Sequence, residues 1–355
     1  RKAWAFKGEE PAMIIQPMTH LSPHHPLPPA GFHGACELPH LGVIEVSGSD
    51  AVSFLHNQLT HDLALVPADA VRFCAFCNAK GRMQASFVYC KPNPNEVLLV
   101  CRRDLIAQTV KRLSMFVLRA KVKLTDATAD FHLMGLAGKS LESLVIRISQ
   151  EAGAHTSPQE LSTTQQAWRC IPWESAQAHV LTLYPAMEQP RALLLATSAP
   201  DLTQYPSLDT ANWQLGEVMS GIAWVELATF EAFVPQMLNY ESVDGVNFKK
   251  GCYPGQEVVA RSQFRGTLKR RAFIVACHSP MQVGQEVFSA DDLDQACGTV
   301  ASVAENENAT KTEAAKWWGI VSMQINATTQ VLHVGNPEGP ELHLHALPYP
   351  LLEDI

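Results

Sequence analysis

Hydrophobic and polar positions in the first third of the chain follow both strand and helix periods. The stretch GVIEVSG, residues 42–48, alternates between apolar and polar side chains as a half-buried strand does. Apolar residues then recur at helical spacing at Ala51, Phe54, Leu55 and Leu59. The pattern therefore predicts a short strand followed by a helix.

Two β-rich runs follow and are joined by a turn. The turn reads Asn78-Ala79-Lys80-Gly81, which is rich in the residue types that hairpins use. Residues 104–126 then have the pattern of a helix followed by a strand. Hairpins and helices mix here without the regular alternation of a doubly wound sheet, which predicts an α+β fold.

The last part of the chain is rich in short strands. Gly, Pro or polar loops separate five β-like stretches, and this spacing predicts a small barrel or a sandwich. These stretches are residues 271–279, 284–290, 297–305, 317–325 and 341–349.

The beginning of the chain is rich in proline and lacks the periodic pattern of a strand or helix. Dense proline without hydrophobic periodicity indicates an extended or flexible lead-in over residues 1–35. Its prolines are Pro11, Pro17, Pro23, Pro26, Pro28 and Pro29.

Composition narrows the class of protein. The chain has 355 residues, of which 46% are apolar and 17% charged, and its formal net charge is −8. No apolar run approaches the roughly 18 residues that cross a bilayer, so we expect a cytoplasmic globular protein without a membrane partner. Nine scattered cysteines, an odd number, favour a reduced compartment over a disulfide framework. The mild acidity argues against wholesale coating of nucleic acid but leaves a local basic site open.

A basic island interrupts this acidic chain. Residues 247–271 contain seven Lys or Arg around one acid, Glu257, and one thiol, Cys252. We call these seven cations the basic island: Lys249, Lys250, Arg261, Arg265, Lys269, Arg270 and Arg271.

The order of residues around Cys252 predicts an activated thiol. Pro254 and Gly255 form a turn, after which QEVVAR reads as the start of a helix in which Glu257 and Arg261 are spaced for an i, i+4 ion pair. Cys252 then lies just before a helix N-terminus and beside two lysines, and both features stabilise a thiolate. The alternative is a solvated basic loop with an incidental thiol.

The stretch KGCYPGQEVVAR resembles the signature of the YgfZ family of folate-binding proteins, which are relatives of the glycine-cleavage T-protein. Residues 48–63, 78–83 and 219–241 resemble further motifs of the same family. Residues 1–35 and 139–205 match none. The signature positions that match are Lys250, Gly251, Cys252, Tyr253, Gly255, Gln256, Glu257 and Arg261.

The resemblance implies three domains around a central opening that holds tetrahydrofolate or a one-carbon derivative of it. On this basis we expect a folate-binding α+β body of two subdomains at residues 36–270 and a small β-barrel at 271–355. The family's role implies work for iron–sulfur proteins, with tRNA or tRNA-modifying enzymes as further partners. Cys252 becomes the candidate functional thiol. The implied folate-binding residues are Lys250, Gly251, Tyr253, Gln256, Glu257, Arg261, Asn78 and Lys80.

The sequence differs from that of T-proteins at two positions that matter for their reaction but not for folate binding as such. T-proteins carry two aspartates after the first hairpin turn, and one of them works on the folate, whereas Ala85 and Ser86 stand at these positions here. General acid–base catalysis worth about 10² to 10⁴-fold is lost with such a carboxylate. We therefore expect an accessory protein for iron–sulfur cluster assembly or repair. A folate-dependent one-carbon transferase and a non-catalytic RNA- or protein-binding module remain the alternatives.

Overall fold

The computed structural model describes residues 31–153, 167–264, 268–307, 309 and 315–352. Arg265 and most of the Pro-rich lead-in lie outside these residues. The described part contains five α-helices and sixteen strands. The helices are α1 (Ala51–His56), α2 (Ile106–Ser114), α3 (Lys139–Glu151), α4 (Thr210–Met219) and α5 (Gln256–Phe264). The strands are β1 (Gly34–Glu37), β2 (Leu41–Ser47), β3 (Arg72–Cys77), β4 (Met83–Asn93), β5 (Glu96–Arg102), β6 (Lys123–Asp126), β7 (His132–Ala137), β8 (Cys170–Trp173), β9 (Ala178–Ala186), β10 (Gln189–Ala196), β11 (Arg270–Cys277), β12 (Glu286–Ser289), β13 (Gly298–Glu305), β14 (Trp317–Gln324), β15 (Leu332–Val334) and β16 (Glu341–His345).

The strands form two open sheets and one closed barrel. The first sheet has the order β3-β4-β5-β2-β6, and the second has the order β1-β7-β10-β9-β8. The barrel closes in the order β11-β14-β13-β12-β15-β16. Helices pack beside antiparallel sheets instead of crossing over between parallel strands, so the predicted α+β class with a C-terminal barrel is confirmed.

The folded part begins earlier than the predicted boundary at residue 36. Phe32 is fully buried, and its ring lies 6.4 Å from the ring of Trp213. Gly34 pairs with Ala137 at the start of the β1–β7 ladder. One aromatic residue inside a Pro-rich stretch carries no periodic signal, which is why the sequence pattern misses this anchor.

Polar contacts join the barrel to the body. Arg271 is 3% exposed, and its guanidinium forms an ion pair with buried Glu241. Beside this pair, the Asn239 side chain donates to the Ala272 carbonyl at 2.8 Å and accepts from the Ala272 amide at 3.1 Å. Arg271, a member of the basic island, is therefore a structural cation at the first barrel strand.

The β3–β4 turn packs directly on the loop before α5. Asn78 Oδ1 accepts from the Lys80 and Arg82 amides at 2.9 and 3.1 Å, which fixes the turn. Gly81 and Gly255 both have positive φ, +72° and +80°. A Cβ added at Gly255 would lie 2.6 Å from Gly81 Cα and nearer still to the Asn78 carbonyl oxygen. Only glycine permits this close approach of two backbones.

This contact predicts different outcomes for two glycines of one loop. Gly255→Ala forces a side chain into the turn at a left-handed φ, and we expect it to lower the free energy of unfolding by about 2–3 kcal/mol. Gly251→Ala is the matched control, because the nearest atom to its added Cβ is His56 Nε2 at 3.6 Å. Urea denaturation measures both, and equal losses for the two variants would contradict the packing described.

Candidate functional site

Three motif-bearing segments, distant in sequence, meet beside the β3–β4 hairpin. Thr60 Oγ1 accepts from the Ala75 amide at 2.9 Å and donates to the Gly245 carbonyl at 2.8 Å. The Asn247 amide in turn donates to the Thr60 carbonyl at 2.9 Å. The segment after α1 is thereby fixed to β3 and to the start of the KGC stretch. We call this convergence the motif junction.

Lys250 lies inside the junction and not at its surface. It is 7% exposed, and its Nζ donates to the carbonyl of His56 and, at 2.7 Å, to that of Leu59. Both carbonyls lie at and just beyond the end of α1, where backbone oxygens lack intrahelical partners and attract a cation. Nζ also lies 4.7 Å from the centre of the Tyr253 ring.

Burial changes the acidity of this amine. Desolvation lowers the pKa of Lys250 to about 8, against the smaller opposing effects of Cys74, Asp62 and Cys252. The amine is occupied by backbone carbonyls, so its direct contribution is to hold the loop that carries Cys252. Its predicted part in folate binding stays a prediction.

A histidine–carboxylate network lies next to Lys250. His56 Nδ1 lies 3.3 Å from Asp62, and His61 Nε2 lies 3.6 Å from Asp244, which also contacts Arg72 at 3.3 Å. Burial, followed by the charge of Lys250, lowers the pKa of His56. Burial alone would raise the pKa of Asp62, but the amide of Leu65 and the nearby cations hold it below its usual value.

Sequence reasoning did not assign this network, although one signal was available. Asp62 occupies the aspartate of the N-terminal motif that resembles the family's Q-x-T-x-D. Its predicted neighbours were apolar helix positions, and nothing in the local pattern pairs it with His56 or brings Lys250 beside it.

Cys252 is the one exposed cysteine of the chain, since the other eight are all buried. It lies on the loop before α5, so the predicted helix start is confirmed. Gln256 Nε2 donates to the Lys250 carbonyl at 3.3 Å and closes the loop. The thiol is therefore presented to solvent on a loop whose two ends are fixed.

The expected Glu257–Arg261 ion pair is wrong. Both side chains are exposed on α5, and none of the ion pairs among the described residues joins them. The i, i+4 spacing permits the pair, but an exposed pair gains on the order of 0.3–0.5 kcal/mol and must also immobilise two long side chains. Both groups face solvent and are free to meet a ligand.

The basic island is not one exposed patch. Lys249, Arg261 and Lys269 are exposed, while Lys250 and Arg271 are buried. Arg270 donates to the Cys297 carbonyl at 3.0 Å. A binding module that used the island alone would therefore lack several of its seven cations.

The remaining predicted site residues lie close to the junction. Asn78 and Lys80 are on the hairpin turn that packs against Gly255. Tyr253 is 7% exposed, and its hydroxyl has no hydrogen-bond partner among the described residues. Burial raises the pKa of Tyr253, so the hydroxyl is a neutral donor. A Cβ added at Gly251 would lie 3.6 Å from His56 Nε2, which is an ordinary van der Waals contact.

The positions of the T-protein aspartates are buried and neutral. Ala85 is fully buried and Ser86 is 1% exposed. Ser86 Oγ accepts from the Val225 amide at 2.9 Å, so the hydroxyl is used to fix the chain that follows α4. No carboxylate is available at either position for proton transfer to a ligand.

The described ranges also lack two further kinds of feature. They contain no group of three or more His, Cys, Asp or Glu placed to hold a metal ion. None of their helices is long and apolar enough to cross a membrane.

Comparisons with known proteins agree with this architecture. The family described as GCVT N-terminal domain matches residues 33–168. The tRNA-modifying protein YgfZ of Sodalis glossinidius is 28% identical over 323 residues, covering 88% of this chain and 91% of that protein. The YgfZ protein of Photobacterium profundum is 28% identical over 260 residues, covering 72% and 73% of the two chains.

A solved structure extends the likeness to the fold. The glycine cleavage system aminomethyltransferase T from Bartonella henselae matches with a TM-score of 0.63 at 14% identity, covering 91% of this chain and 87% of that chain. At this identity the likeness concerns the fold alone. The chain is therefore similar to YgfZ proteins over most of its length, and its residues 33–168 match the GCVT N-terminal domain.

Proposed function

We propose that the protein is a tetrahydrofolate-binding accessory protein for the assembly or repair of iron–sulfur clusters, supporting iron–sulfur enzymes that include tRNA-modifying ones. The observation that carries the proposal is the contrast between the loop of Cys252 and the pair of positions that T-proteins occupy with aspartates. Cys252 is exposed on a loop that buried Lys250 holds in place, whereas Ala85 and Ser86 are buried and neutral. The site keeps a presented thiol but lacks the acid–base pair of a T-protein.

The thiol suits work on iron or sulfur. A cysteine thiolate is the usual protein ligand of iron–sulfur clusters, and it also attacks sulfur in exchange reactions. Lys250 lies near enough to Cys252 for the two groups to interact electrostatically. In this proposal the cluster or its sulfur is the substrate, and Cys252 contacts it transiently.

The residues around the loop fit a folate. The exposed cations Lys249 and Arg261 take part in no ion pair of the described residues and are available to glutamate carboxylates. The buried hydroxyl of Tyr253 lacks a partner and can donate to a ligand. When bound, the folate would supply a reduced pterin and a one-carbon carrier. The chain's own residues would position it beside Cys252.

A folate-dependent one-carbon transferase is the second candidate. The T-protein-like fold favours it, but Ala85 and Ser86 provide no acid or base. Turnover of a labelled one-carbon folate with glycine-cleavage proteins or with tRNA would establish this second function in place of the first.

We expect native alkylation to be confined to one cysteine. Iodoacetamide should label one thiol per chain in the folded protein, at Cys252, because the other eight are buried. Unfolding in urea should raise the count to nine. Peptide mapping assigns the label, and an unlabelled Cys252 would contradict its exposure and remove it as the functional thiol.

Replacing the thiol should separate rescue from folate binding. In a host that lacks the protein, Cys252→Ala should fail to restore iron–sulfur enzyme activity and tRNA thiomodification. Its calorimetric affinity for tetrahydrofolate should stay within about twofold of the wild type, because the loop keeps its hydrogen bonds and a neutral contact is worth little. Cys297→Ala, which removes a barrel thiol away from the loop, is the control and should rescue. Full rescue by Cys252→Ala would overturn the proposed role of the thiol.

The junction should give a characteristic pH dependence of stability. The pKa of Lys250 falls from 10.5 to about 8 on folding, so the unfolded chain binds more protons between these values. The contribution of this amine to the free energy of unfolding therefore increases as the pH rises from about 8 to about 10.5. The increase is lost again as the pH falls back to 8. Lys250→Met removes the gain, leaves two carbonyls unpaired and should cost about 2–4 kcal/mol near pH 7.

Urea denaturation at pH 7 and pH 9.5 tests this expectation. The stability difference between the wild type and Lys250→Met should widen at the higher pH. The control is Lys139→Met, an exposed lysine of α3, for which the difference should stay small and flat. A constant difference for Lys250→Met would mean that its amine is not buried as described.

A further inference from the structure

Two buried cysteines meet where the two open sheets come together. Cys90 belongs to β4 of the first sheet and is fully buried. Cys170 begins β8 of the second sheet and is 7% exposed. The two thiols form a hydrogen bond with each other. This contact therefore joins side chains that are distant in sequence and belong to different sheets.

Backbone hydrogen bonds hold Cys170 against the first sheet. The Cys170 amide donates to the Asp69 carbonyl at 2.7 Å, and the Val71 amide donates to the Trp168 carbonyl at 2.7 Å. Residues 69–71 lead directly into β3, which is the strand that pairs with β4. The position of the Cys170 thiol beside Cys90 is therefore fixed by the main chain.

A histidine completes the cluster. His179 Nδ1 lies 3.9 Å from Cys170 Sγ, which is within hydrogen-bonding distance for sulfur. His179 lies on β9, where it pairs with Pro172 of β8. Cys170 and Pro172 are two positions apart and share one face of β8, so His179 is the diagonal neighbour of Cys170 on that face. The strand register thus places an imidazole beside the thiol.

The contacts within the cluster separate the proton affinities of its three groups. The hydrogen bond from Cys90, together with the bond and the charge of His179, lowers the pKa of Cys170 to about 6, although burial opposes this change. The hydrogen bond to Cys170 raises the pKa of both Cys90 and His179. The carboxylates that act on the cluster are Asp69, Glu96 and Glu174. Near pH 7 the cluster therefore contains a Cys170 thiolate between a protonated thiol and a protonated imidazole.

Burial limits the reagents that reach this thiolate. A thiolate attacks peroxides, and the oxidation of cysteine follows thiolate character and access. Hydrogen peroxide is little larger than water and reaches a side chain that is 7% exposed, whereas iodoacetamide and protein disulfides are too bulky. The cluster therefore favours a small peroxide as its oxidant.

We propose that Cys170, Cys90 and His179 form a peroxide-reactive dithiol site, whose disulfide links the two open sheets. The Cys170 sulfur attacks one peroxide oxygen, the O–O bond breaks, and the other oxygen leaves as water with a proton from His179. Cys170 is then a sulfenic acid. The Cys90 sulfur bonds to the Cys170 sulfur, the S–O bond breaks, and the hydroxide leaves as a second water with the Cys90 proton. The thiol pair loses two electrons, and one peroxide is reduced to two waters.

This site is independent of the proposed function, since it uses neither a folate nor the thiol of Cys252. It is tested in the full chain carrying Cys252→Ala, so that the exposed thiol does not consume the oxidant. The reduced protein is treated with a slight excess of hydrogen peroxide at pH 7, unfolded in urea and labelled with N-ethylmaleimide. Two fewer cysteines than the remaining eight should take the label. Peptide mapping should find Cys90 linked to Cys170, and dithiothreitol should restore both thiols.

Three further substitutions and a control in the same chain separate the roles. Cys90→Ala should stop after the first step and leave one added oxygen atom on Cys170. Cys170→Ala should leave Cys90 unreacted. His179→Gln should slow the first step at least about tenfold. It should also shift the half-maximal rate from about pH 6 to a higher pH, because the imidazolium no longer stabilises the thiolate. Cys297→Ala removes a barrel thiol and should react as the parent does.

The outcomes are distinct. A disulfide between other cysteines, or a Cys170 that gains oxygen in the parent without pairing with Cys90, overturns the proposal. Oxidation of Cys90 at the parent rate in Cys170→Ala also overturns it. Mapping of the parent needs none of the three further substitutions, so misfolding of one of them leaves the test intact. Folate affinity and cellular rescue are separate measurements, so the failure of the proposed function leaves this result unchanged.

Discussion

The structure of the site depends on one buried ammonium group. Lys250 Nζ donates hydrogen bonds to two backbone carbonyls at and just beyond the end of α1, those of His56 and Leu59. Burying an amine without partners costs several kcal/mol, and these two hydrogen bonds offset that desolvation free energy. The same bonds fix the loop of Cys252 to the N-terminal motif. A chain segment almost two hundred positions away is thereby held against α1.

The cations of the basic island therefore have two different roles, one structural and one at the surface. Lys250 and Arg271 are internal, one holding the loop and the other joining the barrel to Glu241. Arg261 and Lys249 face solvent and carry the charge that a ligand can meet. The two positions after the hairpin turn, Ala85 and Ser86, are neutral and buried. The fold of an aminomethyltransferase is thus combined with a different set of exposed groups.

Local patterns predicted much of the fold and less of the site. Turn chemistry at Asn78–Gly81 predicted the hairpin, and short β-like stretches between Gly, Pro or polar loops predicted five of the six barrel strands, since both signals act over a few residues. The helix after Gly255 was predicted for the same reason. The burial of Lys250 was not, because nothing near it in sequence reveals the carbonyls it meets. The predicted ion pair between Glu257 and Arg261 was wrong because the i, i+4 spacing only permits such a pair, and water solvates both exposed charged groups instead.

Native-state hydrogen exchange tests the central claim that the motif junction is one cooperative unit. The amides of Thr60 and Asn247 donate across it, to Ala75 and Thr60. If Lys250 holds the unit together, both amides should open with one common free energy in the wild type, and Lys250→Met should reduce their protection by the same factor. Loss of protection at Asn247 with Thr60 unchanged would contradict the account, because the two segments would then be held independently.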